Sequence, residues 1–192
     1  MVNVANLETE NVIVASHLGK DVELIKLATE LPNARYSSSG NPSVIIELDR
    51  TNPKFIGHKR LKAAGVLFGN GKVLVTGIAS LHEGKEIIAK LKNLVRDIDP
   101  KISTKRATKI ENMVTKMNFG KRLDLQLISN AIPGSEYDPM RFQGLIIRVD
   151  KPLASFILFE SGIAIITDVV SEAKAKKAFK ELRSLVETSI LS

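Results

Sequence analysis

Histidine, serine and carboxylate side chains are where hydrolytic or metal-assisted chemistry would begin, and here their spacing supports neither. His17, His58 and His82 are scattered without metal-ligand spacing. No G-x-S-x-G elbow or other nucleophile–base arrangement is visible. "GNGK" at residues 69–72 lacks the G-x-x-x-x-G-K-[ST] spacing of a phosphate-binding loop and predicts a hairpin turn. With no cysteine there is neither a disulfide nor a thiolate metal site, and an intracellular home is the default. The expectation is a protein that is not an enzyme, with no cofactor, metal site or small-molecule substrate. What stands out instead is binding chemistry. The net charge is +7, which favours an anionic partner. Two phenylalanines, Phe142 and Phe159, sit at the tips of strand-like segments in "SEYDPMRFQGLIIRVDKPLASFILFESGIAIIT", where core packing is least able to hold them.

These residues belong to a duplicated frame. "ENVIVASHLGKDVELIKLATELPNARY" (10–36) lies over "ENMVTKMNFGKRLDLQLISNAIPGSEY" (111–137) at an offset of 101 residues, and the same offset pairs "SVIIEL" with "GLIIRV". Beyond that the offset is 91, so that "GVLFGNGKVLVTG" matches "FILFESGIAIITD". The first copy thus carries about ten extra residues within positions 49–64, a basic stretch with Lys54, His58, Lys59, Arg60 and Lys62, and with Phe55 as its one aromatic. A unit near 90 residues is too long for a solenoid repeat and describes two pseudo-symmetric halves, 1–100 and 101–192.

Each half predicts the order β-α-β-β-β-β-α. Leu18, Val22, Ile25 and Ala28 are the expected stripe of the short first helix, as are Phe119, Leu123 and Leu127 in the second copy. A longer amphipathic helix closes each half, about 80–96 and 171–186, the latter lysine-rich outside (Lys174, Lys176, Lys177, Lys180). The class is α+β with mostly antiparallel strands, whose helices cover only one sheet face. On the other face, alternation collects Leu74 and Thr76 in "KVLVT", and Ile163, Ile165 and Thr167 in "IAIIT". An uncovered sheet face is normally polar, so an apolar one marks a binding surface. No apolar run approaches 18 residues and no secretory leader is visible, so no membrane association is expected.

Together the two "EN-x-V" strands, "LPNARY" and "SEYDPMRF", the "LF-x-x-G" hairpins and the "VTG" and "IIT" strand ends resemble the TATA-box-binding protein family, over about residues 11–186. The resemblance implies a saddle: two tandem pseudo-symmetric repeats forming a curved ten-stranded antiparallel sheet, with four helices on the convex face. It implies that the concave face lies in the minor groove of double-stranded, A/T-rich promoter DNA, with phenylalanine wedges kinking the duplex. Asn11 and Asn112 then match the family's central asparagines. Ile13, Leu74, Val114 and Ile165 match its apolar groove-floor positions, and Thr76 and Thr167 its groove threonines. Phe68, Phe142 and Phe159 match wedges, and Lys72 and Arg148 match phosphate-reaching positions. Asp138 matches an acidic position that receives the B-type transcription initiation factor. The implied function is a general transcription initiation factor that nucleates preinitiation-complex assembly with that factor and the RNA polymerase machinery. The implied location is intracellular, in the cytoplasm or nucleoid of an archaeon or the nucleus of a eukaryote.

The departures cluster in the first half. Asn41 stands where the second half has Phe142, Glu47 opposes Arg148, and Ile163 is the counterpart of Lys72. In "EYDPMRF" the acidic Asp138 is followed by Met140 and Arg141. Residues 1–100 hold 13 basic and 11 acidic groups, net +2, while residues 101–192 hold 15 and 10, net +5. The second half is expected to grip DNA better. The alternative is a divergent paralogue acting mainly as a protein-interaction or regulatory module with weakened DNA binding.

Overall fold

The computed structural model of the chain describes residues 7–50, 62–103, 105–151 and 153–191. Lys54, Phe55, His58, Lys59 and Arg60 of the basic insertion lie outside these residues.

By contact the chain divides into two compact units, Asn11–Glu111 and Met1–Glu10 with Asn112–Ser192. The first repeat runs β1 (Glu8–His17), α1 (Leu24–Glu30), β2 (Ala34–Ser37), β3 (Ser43–Leu48), β4 (Ala63–Phe68), β5 (Lys72–Ile78) and α2 (Leu81–Ile98). The second runs β6 (Lys109–Asn118), α3 (Leu125–Ala131), β7 (Glu136–Asp138), β8 (Phe142–Asp150), β9 (Leu153–Leu158), β10 (Ile163–Val169) and α4 (Glu172–Leu191). Both follow the predicted order. The strands of the first repeat lie in the order β2-β3-β4-β5-β1 and those of the second in the order β6-β10-β9-β8-β7. The pairings within each are antiparallel.

Strand alternation decides which residues form the core. Val73 and Val75 on β5 and Ala164 and Ile166 on β10 are fully buried, while Leu74, Thr76, Ile165 and Thr167 between them are only half-buried. The buried set packs beneath the long helices: Val44, Ile46, Leu67 and Val73 share one cluster with Leu91 and Val95 of α2. Such burial is worth roughly 1.5–3 kcal/mol per large apolar side chain. Both long helices start at matching serines. The Ser80 hydroxyl accepts the Glu83 N–H at 3.1 Å and that of Ser171 accepts the Lys174 N–H at 3.2 Å, satisfying donors that a helix start leaves free. The Glu83 carboxylate turns away to a buried bidentate pair with Arg50 (2.7 and 2.9 Å) and takes the Ala79 N–H at 2.9 Å.

The short helices differ from expectation. Leu18 and Val22 precede α1, and Ile25, 64% exposed, points outward; Leu27 is the buried residue of the helix. In the second repeat Leu127 is likewise exposed, while Leu125 and Ile128 are buried. The reason is that residues 18–23 are a loop held by the next hairpin, with the Leu18 N–H on the Gly71 carbonyl (2.8 Å) and the Val22 N–H on that of Gly69 (2.9 Å). A helical period drawn through that loop assigns the wrong face. The second repeat repeats the brace, from Phe119 to Gly162 and from Leu123 to Glu160.

Candidate nucleic-acid interface

The strand face opposite the helices is the uncovered one. In the first repeat Asn11, Ile13, Val66, Phe68, Lys72, Leu74 and Thr76 alternate with buried neighbours. In the second, Asn112, Val114, Ile157, Ile165 and Thr167 do the same. Cross-strand register brings apolar members side by side, Val66 beside Leu74 and Ile157 beside both Ile165 and Ile146. Each repeat therefore presents an apolar strip with polar ends.

The polar end is built the same way twice. The Asn11 amide donates to Thr76 Oγ1 at 3.0 Å and its carbonyl oxygen accepts the Gly77 N–H at 2.8 Å. The Asn112 amide donates to Thr167 Oγ1 at 3.0 Å, and its oxygen takes the N–H groups of Asp168 (3.0 Å) and Met113 (2.8 Å). Gly77 and Asp168 both have positive φ, 78° and 64°, and sit where the register slips by one residue against β1 and β6. Such a bulge removes an N–H from the ladder. The asparagine oxygen takes that N–H, so each asparagine spends its acceptor on the backbone and one amide hydrogen on the threonine, which leaves one amide hydrogen for the open face.

At the outer end of the second repeat, Phe142 (43% exposed) and Phe159 stand edge to face, ring centroids 6.1 Å apart at 72°. The Phe142 ring lies over Gly144: a Cβ there would come within 2.6 Å of Phe142 Cε1 and 2.7 Å of Ile157 Cγ2. Phe159 opens the tight turn to β10, with the Gly162 N–H on its carbonyl at 2.9 Å. Phe68 opens the equivalent turn through Gly71 at 2.8 Å. Opposite Phe68 in the register, however, stands Ser43, and Asn41 is a polar loop residue.

Lys72, Arg148 and Lys116 of this face are already paired. Lys72 contacts Glu111 at 3.0 Å, and that hydrogen bond lowers the Glu111 pKa. Arg148 pairs with Glu136. Lys116 meets Glu8 at 2.6 Å and Glu10 at 3.1 Å, which raises the lysine's pKa, Glu8 first. Glu47 holds Lys62 at 3.0 Å. Lys116 went unnoticed in the sequence, although its alternation with Asn112 and Val114 was the signal. Asp138 closes the β7–β8 turn, taking the Met140 N–H at 3.1 Å on its carboxylate and leaving Met140 93% exposed at the tip.

Among the described residues no group of three or more His, Cys, Asp or Glu is placed to hold a metal ion. A cavity of about 530 Å³, lined by Lys20, Lys26, Asp99 and Lys101 among others, lies away from the open face and mixes both signs of charge. No described helix is long and apolar enough to cross a membrane.

Comparison with known proteins agrees with this architecture. The profile of the family described as "Transcription factor TFIID (or TATA-binding protein, TBP)" matches residues 6–98 and 107–188. The chain is 30% identical to the TATA-box-binding protein of Methanothermobacter thermautotrophicus, over 93% of each chain. It is 31% identical to that of Pyrococcus abyssi, over 94% of this chain and 89% of the relative. The solved structure of Methanococcus jannaschii TBP superposes with a TM-score of 0.80 at 30% identity, covering 95% of this chain and 99% of that one. The chain belongs to the TATA-box-binding protein family, a family of transcription factors.

Proposed function

We propose that this protein is a general transcription initiation factor that binds the minor groove of A/T-rich promoter DNA through the open face of both repeats, and kinks it by phenylalanine insertion. The observation that carries the reading is the apolar strip with an asparagine–threonine pair at its end, present in each repeat of a chain of this family. The minor groove of A·T pairs offers only the acceptors A N3 and T O2, and it suits an apolar surface with a few amide and hydroxyl donors. Asn11, Thr76, Asn112 and Thr167 supply the donors; Ile13, Leu74, Val114 and Ile165 pack on the groove floor. Phe68, Phe142 and Phe159 are the wedge positions, as the family is known to use them. Lys72 and Arg148 reach phosphates once they exchange Glu111 and Glu136 for DNA. The repeats 1–100 and 101–192 act as two half-grips, and the protein works inside the cell.

The partners are a B-type initiation factor, received near Asp138, and through it the RNA polymerase machinery. Because the Asp138 carboxylate is engaged by its own turn, its part is to shape the tip that carries Met140 and Arg141. A second reading, a paralogue that mainly binds proteins, draws support from the paired cations and from Glu47 on the open face. Titrating a TATA-like duplex against a G·C-rich one at several salt concentrations separates the two. Minor-groove binding predicts preference for the A·T duplex and a linear fall of log K with log salt. Equal and negligible binding to both duplexes supports the protein-binding reading.

A further inference from the structure

The two repeats differ at the place where a ring would be seated. In the second, the Phe142 ring lies over Gly144, its Cε1 2.6 Å from where a Cβ would stand, and it packs edge to face with Phe159. Duplication pairs Phe142 with Asn41, Gly144 with Ser43 and Phe159 with Phe68. Both elements of the seat are therefore lost in the first repeat. The ring is absent, and the floor carries the Ser43 side chain, 6% exposed and directly opposite Phe68. Among the described residues Phe68 has no second ring to brace it. Paired rings support one another beyond their burial. Holding a base step open costs a few kcal/mol, and a lone side chain lacks that bracing.

Resting on the minor-groove reading above, we infer that DNA deformation by this protein is one-ended. The second repeat unstacks a base step with the Phe142–Phe159 pair, and the first lies on the groove without opening a step. Gly144 and Ser43 determine this difference, because the floor decides whether a ring at the position two residues earlier has somewhere to lie. The DNA partner it selects accordingly needs a readily unstacked pyrimidine–purine step at one end of the A/T-rich element only, since such steps kink most easily.

The test uses the full chain and three duplexes with the same A/T-rich centre, carrying TA steps at both ends, at one end or at neither, with bending read by end-to-end FRET. The protein can bind in either direction, so the two-step and one-step duplexes should bind within about twofold of each other and bend equally. The duplex with no TA step should bind about tenfold more weakly, the cost of one unfavourable position. The doubly substituted Asn41→Phe, Ser43→Gly chain should bend the two-step duplex more than the one-step duplex, whereas Asn41→Phe alone should not. The converse transplant, Phe142→Asn with Gly144→Ser, copies a floor the first repeat already tolerates and should remove the bend while the thermal midpoint holds. Stepwise loss of affinity in the natural chain, a further drop for each TA step removed, would overturn the one-ended assignment and leave minor-groove binding intact. Failure to bind any of the three duplexes at low salt would overturn both.

Discussion

Asn11 and Asn112 each do two things with one side chain, and the structure separates them. The carbonyl oxygen secures the bulge N–H of Gly77 or Asp168, while one amide hydrogen remains at the open face. Asn11→Asp retains the acceptor and discards the donor. It should keep the thermal midpoint and weaken binding to an A·T duplex about tenfold or more, the roughly 1–3 kcal/mol of an unmet hydrogen bond. Asn11→Ala loses both and should also lower the midpoint, so equal midpoints for the two variants would contradict the bulge role. A second residue-scale expectation concerns Thr115, fully buried on β6 with its hydroxyl unpaired among the described residues, where the first repeat has Val14. Thr115→Val should stabilise the fold by about 1 kcal/mol in chemical denaturation, because a buried hydroxyl without a protein partner costs that much or more. The paired cations belong here too. Lys72 leaves Glu111 for a phosphate in the complex, so Lys72→Gln should make the slope of log K against log salt shallower by about 0.9. An unchanged slope would mean that Lys72 does not meet DNA.

At the scale of elements, the hairpins that carry Phe68 and Phe159 are held in place by the loops before the short helices. Gly71 and Gly162 are the closest points of that contact: φ is +81° and +88°, and a Cβ at either would sit 2.1 Å from the carbonyl oxygen of Lys20 or Lys121. Glycine is required there by both conformation and space. Gly162→Ala should cost more than about 1 kcal/mol of stability, since the new side chain is incompatible with the native backbone. It should also loosen the Phe159 turn, so bending by the second repeat should fall further than stability alone explains. A variant of native stability with native bending would show that the brace does not position the ring. The α2 start is a second such element. Burial alone would raise the Glu83 pKa, but the Arg50 hydrogen bond, the Ala79 N–H and the Arg50 charge outweigh it and the net shift is downward.

For the whole molecule, the carboxylates with lowered pKa set the acid limit. Glu83, Asp99, which is lowered first by its hydrogen bond to Lys20, and Glu111 all bind protons less readily folded than unfolded. Their contribution is complete above the unfolded carboxylate value of about 4 and is lost as pH falls through the lower folded values. The melting midpoint should therefore be flat from neutral pH to about pH 5 and drop steeply below about pH 4. Lys92 gives the same sign of dependence at alkaline pH. It is 2% exposed, donates to the Arg106 carbonyl at 2.9 Å, and has its pKa lowered by burial. Between that lowered value and the ordinary lysine value the unfolded chain holds the extra proton, so this residue adds stability as pH rises.

Much of this was readable without coordinates. The duplication, the β-α-β-β-β-β-α order and the covered and uncovered strand faces follow from local periodicity and the internal repeat, while Asn11, Asn112 and Phe68 were singled out by the family resemblance. Alternation in a strand depends only on neighbours two residues apart, and a repeat reports its own equivalent positions. The phase of the short helices was not readable, because Leu18 and Val22 are apolar residues of a loop held by hydrogen bonds to Gly71 and Gly69, far along the chain. Nor were the ion pairs of Lys72, Arg148 and Lys116, whose partners are fixed by tertiary proximity and leave no periodic trace. The use of each asparagine oxygen by a bulge, and the Phe142 ring resting on Gly144, are also contacts between atoms. The sequence determined which residues share a face; only the folded chain decided which of their atoms are already spent and which rings have a place to lie.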